Sequence, residues 1–141
     1  LVYDAFADLR NNIHEDWALW GTRFENNGRG NAVNSLWRQS DAGVAAGGKG
    51  TNTLYTYGGA DPATIHVSGN VYQDNAVESP TLMNAAPAPF PAPAVTTQSV
   101  AQMTTTVEAK AGCLPRDAVD QAYIDLKTGW DVADGEPLRL P

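Results

Sequence analysis

The side chains able to do chemistry are few and scattered. His14 and His66 lie far apart with no third ligand at metal-binding spacing, so neither reads as part of a metal site. Cys113 is the only cysteine and has no Cys or His cluster around it, so its expected role is a small buried hydrophobe. The acid pairs Glu15-Asp16 and Asp117-Asp120 are expected to be solvated or to cap helices. Gly48-Lys49-Gly50-Thr51 lacks the flanking pattern of a phosphate-binding loop. What remains is the chemistry of recognition. Arg23, two residues before Glu25, can offer its guanidinium to that acid or to a ligand carboxylate. Arg29 and Lys49 are further cations, and Trp17, Trp20 and Trp37 can stack on a sugar face or fill a core.

The elements that must position these groups show themselves as a repeated phrase. Leu9-Arg10-Asn11-Asn12-Ile13 is followed by Ala32-Val33-Asn34-Ser35-Leu36 and by Val67-Ser68-Gly69-Asn70-Val71. Each phrase, the second only loosely, runs from an apolar residue through short polar ones to another apolar residue, which reads as a strand, a bend and a strand. Asn12, Ser35 and Asn70 align, at separations of 23 and then 35 residues. Repetition at such spacing is the mark of a solenoid in which each coil buries its neighbour's strands. An Asn at a bend tolerates left-handed backbone and can bond the backbone of the next coil, although Asn is also an ordinary turn former in unrelated all-β folds. The pattern predicts coils through residues 5–75, with Leu9, Ile13, Ala32, Leu36, Val67 and Val71 pointing inward.

The rest of the chain divides by composition. The glycine-rich stretch 42–59 reads as a long surface loop between coils. From Ala85 to Ala94 prolines alternate with Ala or Phe, which forces an extended connector lying along the coil surface or docking elsewhere. Val100, Met103 and Val107 fall at helical spacing before Gly112. Val119, Ala122, Tyr123 and Leu126 repeat that pattern, with Asp117 as cap and Gly129 at the end. The expected organisation is coils over 1–84, a Pro/Ala-rich connector over 85–96, and a capping segment with two short helices over 97–141. Arg116 and Asp117 read as capping and packing residues.

Charge and composition exclude some partners. A net charge of −7 on 141 residues leaves no basic stripe for nucleic acid. It also opposes a polyanionic ligand, although screening confines surface charge effects to about 8–10 Å and local charge can prevail. No apolar run approaches the ~20 residues of a membrane span. Leu1-Val2-Tyr3-Asp4 has neither the basic nor the apolar region of a signal peptide, so any leader is expected upstream.

Five stretches together resemble the later coils of the pectate lyase family, in the family's order. They are Ala7 to Ile13, Trp20-Gly21-Thr22-Arg23-Phe24-Glu25-Asn26-Asn27-Gly28, Gly30 to Leu36, Ile65 to Tyr72, and Ala111 to Asp120. Stretches 38–64 and 76–96 match nothing in that family. The resemblance implies an all-β, right-handed parallel β-helix with a C-terminal helical and extended segment packed against the coils. It also implies a secreted enzyme that cleaves (1,4)-linked galacturonan by calcium-assisted β-elimination. A base removes the proton at C5 of a uronate, and the bond to O4 breaks. Calcium withdraws charge through the carboxylate, and the base is an Arg.

In the best register the Arg-x-Pro motif carrying that base falls just upstream of Leu1, and the calcium ligands belong to coils further upstream. The chain then corresponds to the C-terminal portion of such a protein, with Tyr3 in a slot where some relatives place a second Arg. Arg23 matches a position where relatives place a basic residue facing the cleft, and Arg29 is a weaker substrate-binding candidate. The expected partners are polygalacturonate and, for an open coil end, an N-terminal half or a second copy. Two readings follow: a pectate-lyase-like enzyme represented by this portion, or a non-catalytic β-helical module that binds polysaccharide or a partner.

Overall fold

A computed structural model describes residues 1–50, 52–56, 62–78, 84–110, 115, 117–119 and 121. Its strands are β1 (Val2–Tyr3), β2 (Phe6–Arg10), β3 (Ile13–Glu15), β4 (Thr22–Glu25), β5 (Arg29–Val33), β6 (Leu36–Gln39), β7 (Leu54–Thr56), β8 (Thr64–Ser68) and β9 (Val71–Asp74). A short helix, α1 (Asp41–Ala45), interrupts the path from β6 to β7, and α2 (Val100–Lys110) follows the strands. The strands make three parallel sheets, ordered β1-β4-β7, β2-β5-β8 and β3-β6-β9. Each strand from β1 to β6 thus pairs with the strand three places further on. The repeated phrase marks that register, because Leu9 lies beside Ala32 and Ala32 beside Val67.

Short polar residues and glycine turn the corners. Asn11, Asn34 and Gly69 occupy equivalent places between the second and third sheets, with φ of 52°, 49° and 65°. Asp4 and Asn26 do the same between the first and second, at 46° and 47°. Left-handed backbone costs least for Gly, Asn and Asp, so the sequence places its bends where these residues stand. Beside the Asn11 row runs a hydrogen-bonded column. The Asn12 amide donates to Ser35 Oγ (3.3 Å), the Ser35 amide donates to Asn70 Oδ1 (2.9 Å), and Asn70 Nδ2 donates to the Ala32 carbonyl (3.0 Å).

The core gathers Trp17, Phe24, Ala32, Trp37, Leu54, Ala63, Ile65 and Ala76, with Val2, Ala7, Leu9, Val67 and Tyr72 packed against it. Two expectations need correction. Leu9, Ala32 and Val67 do face this core, but the row Ile13–Leu36–Val71 does not. Its neighbours in the third sheet, His14, Trp37 and Tyr72, hold the inward positions: Trp37 is fully buried in the core, with the His14 ring stacked on it. The left-handed residue at each corner breaks the strict alternation of an extended chain, so the parity of β2 does not carry into β3. Leu36 is buried instead on the opposite face, where Leu36 and Val71 share a cleft with Val100 and Thr104 of α2. The second correction concerns the glycine-rich stretch. Rather than one surface loop, it contains α1, capped by Ser40 Oγ accepting from the Gly43 amide (3.0 Å), and then β7 with Leu54 fully buried.

The Pro/Ala-rich stretch is a strap across the second sheet. The Ile65 amide donates to the Asn84 carbonyl (3.0 Å) and the Ala86 amide to the Ile65 carbonyl (2.8 Å). Further along, the Asn31 side chain accepts from the Phe90 amide (2.9 Å) and donates to its carbonyl (3.1 Å). Asn11 holds Gln98 in the same two-point manner, at 2.8 Å each way. Prolines supply no amide protons, so asparagine side chains grip the strap at residues that still have one. The helix expected from Val100, Met103 and Val107 is α2, with Met103 buried. Of the second helical signal, the structure describes Asp117 Oδ1 accepting from the Val119 amide (2.8 Å). Gly112, Cys113, Arg116, Asp120, Ala122, Tyr123, Leu126 and Gly129 lie outside the described residues. Among the described residues no helix is long and apolar enough to cross a membrane.

Candidate functional site

Alternation along β4 decides what the first sheet shows on its outside. Phe24 points into the core and Thr22 pairs with buried Leu54, so Arg23 and Glu25 face outward. Parallel register then sets Tyr55 of β7 beside Arg23, and Tyr3 of β1 beside Glu25. Trp20, just before β4, completes the group. The Arg23 guanidinium lies 4.1 Å from the centre of the Trp20 ring and 5.8 Å from that of Tyr55, while the two rings stand 5.7 Å apart at 37°. Arg23 also forms an ion pair with Glu25, and its Nε is buried without a hydrogen-bond partner among the described residues. Tyr3 is 59% exposed. The attraction of a guanidinium to an aromatic face grows as water is removed. Chemically, the arrangement offers two aromatic rings with a cation between them, able to stack on a ring-shaped ligand and to pair with an anion.

The other residues singled out from the sequence are not brought to this face. Arg29 opens β5 in the second sheet and lines a separate cleft with Asp4, Asn27 and Phe90. Lys49 is exposed after α1, and its carbonyl accepts from Trp17 Nε1 (2.8 Å). Trp17 and Trp37 are core residues, leaving Trp20 as the sugar-stacking candidate of the three. His14 stacks flat on Trp37 with ring centres 3.8 Å apart, and burial pulls its pKa down to about 4. His66 faces the strap instead, with Nδ1 3.3 Å from the Ala86 carbonyl oxygen. Tyr55 is not among the candidates the sequence offers, because the glycines around it give its stretch the character of a loop. The signal was available in Leu54-Tyr55-Thr56, an apolar, aromatic and β-branched run of strand character.

The calcium ion that the resemblance implies does not fit the described carboxylates. Asp8 is bound by Arg10 Nε (2.8 Å) and Asn31 Nδ2 (2.9 Å), Glu15 pairs with Arg38, and Glu25 pairs with Arg23. Asp16 Oδ1 accepts from the Ser40 amide (2.8 Å), and Asp41 Oδ1 from Asn75 Nδ2 (2.7 Å). Among the described residues no three His, Cys, Asp or Glu side chains group as a metal site would require. Comparison with protein-family models, with curated proteins and with solved structures returned no match in any of the three.

Proposed function

We propose that this chain forms part of a right-handed parallel β-helix whose first-sheet face binds an acidic polysaccharide, in an extracellular protein of the pectate-lyase type. The observation that carries the reading is the Trp20–Arg23–Tyr55 stack on the outer face of the β1-β4-β7 sheet. Aromatic faces take the apolar C–H side of a sugar ring, and a central guanidinium can bind a uronate carboxylate through donors not engaged by Glu25. Strands stacked at a fixed spacing repeat such contacts along one line, which suits a polymer better than a single small molecule. The parallel register and the order of the five family-like stretches support the β-helix and its affiliation.

Binding and turnover are separable on this face. Arg23 is paired with Glu25 and stacked on Trp20, a placement that suits holding a carboxylate and not taking the C5 proton. The ion pair therefore favours the binding reading for these residues. The test measures two quantities on the same sample: affinity for polygalacturonate, and ultraviolet absorbance from unsaturated product. Retention on the polymer without product is expected. Product released by this chain would move Arg23 from a binding role to a catalytic one, and loss of both signals would remove the proposal.

A further inference from the structure

We propose that a second cleft, where the strap crosses the start of the second sheet, binds one uronate sugar, a hydroxylated ring carrying a single carboxylate. Asp4, Phe6, Asn27, Arg29, Phe90 and Pro91 line it, and its volume of about 380 Å³ suits one such ring. Arg29 is the cation that sets the ligand class. Arg10, Arg23 and Arg38 are each paired with an acid, whereas Arg29 is exposed and has no ion partner among the described residues. A free guanidinium beside apolar surface is a ready partner for a carboxylate on a ring. Phe6, 48% exposed, stands edge-on to Phe90 with ring centres 6.4 Å apart at 73°, which leaves aromatic surface for the ring's C–H face.

The wall of the cleft is built in advance. Phe90 is fixed through both of its backbone groups by the fully buried Asn31 side chain, which Asp8 steadies in turn. The Asp4 carboxylate would repel a bare anion but can accept hydrogen bonds from sugar hydroxyls, and the Asn27 amide can donate or accept. A hydroxylated carboxylate is therefore favoured over an aromatic one. This inference rests on the reading that the chain meets acidic polysaccharide, but it uses none of the side chains of the first-sheet face.

The experiment is an NMR titration of the full chain with free galacturonate, galactose and benzoate, observing the Arg29 Nε–H and Phe90 amide signals. Galacturonate should give saturable shifts at both, with galactose and benzoate binding roughly tenfold more weakly or worse. Arg29→Gln, at an exposed position that should leave the circular dichroism unchanged, should weaken galacturonate by roughly tenfold, while Lys110→Gln, which removes an exposed cation from α2, should leave it as it was. Absence of saturable shifts, equal binding of benzoate or galactose, or an indifferent Arg29→Gln would overturn the proposal. If polygalacturonate binding proves insensitive to Trp20→Ala while the Arg29 signals still saturate, the first-sheet reading falls and this one stands.

Discussion

At the scale of single residues, burial sets two measurable behaviours. His14 lies flat against Trp37 with Nε2 buried and unpartnered among the described residues, and its pKa drops from 6.5 to about 4 through desolvation. The unfolded chain therefore binds the proton more readily than the folded one between those values. Stability is complete above the unfolded pKa and is lost as pH falls towards the folded one, by at most about 3 kcal/mol. His14→Phe keeps the ring stack and should remove that part of the pH dependence, as read by urea unfolding near pH 7 and near pH 4. Gln39 is a second case, fully buried with neither amide atom bonded among the described residues. Gln39→Met keeps the side chain's shape and removes the desolvated amide, so it should raise stability by about 1–2 kcal/mol. A loss of stability would show that the amide has a partner that matters.

At the scale of elements, the strap and the sheets depend on close approach. A Cβ on Gly30 would run into the Ala7 carbonyl oxygen and the Phe24 ring, so Gly30→Ala should cost about 1–3 kcal/mol in denaturant unfolding. Asn31→Leu removes both strap bonds to Phe90, and faster hydrogen exchange at the Phe90 amide is expected; unchanged exchange would mean the prolines hold the strap unaided. How much of this was legible follows from particular residues. The column Asn12–Ser35–Asn70 and the pairing of Leu9, Ala32 and Val67 could be read because an apolar residue and a short polar one recur at the same spacing within each phrase. The direction of Ile13, Leu36 and Val71 could not, because one left-handed residue such as Asn11 resets which side chains face inward. Strand β7 was hidden by the glycines around it, and the partner of Arg23 on its own sheet, Tyr55, was hidden with it. The ion pair of Arg23 with Glu25 was readable as an option from their spacing, but its place over Trp20 depends on tertiary packing.

At the scale of the whole molecule, the two ends of the sheets differ. In the second sheet the far edge of β8 is covered by Asn84–Ala86 of the strap, whereas β2 at the other end, like β1, β3, β7 and β9, has one neighbour among the described strands. Leu1, Tyr3 and Phe6 are exposed there. Open strand edges beside apolar side chains promote association, so this chain should show concentration-dependent self-association by light scattering, and a stable monomer at all concentrations would contradict that. The outward faces also differ, with the strap on the second sheet, α2 against the third, and the Trp20–Arg23–Tyr55 stack on the first. The central claim is that this first-sheet face holds acidic polysaccharide. Its most direct test is affinity electrophoresis through gels containing polygalacturonate, comparing the natural chain with Trp20→Ala and Arg23→Ala. The natural chain should be retarded as polymer is added, and each substitution should weaken binding by about 1–3 kcal/mol. An unretarded natural chain, or retardation that both substitutions leave unchanged, would contradict the account.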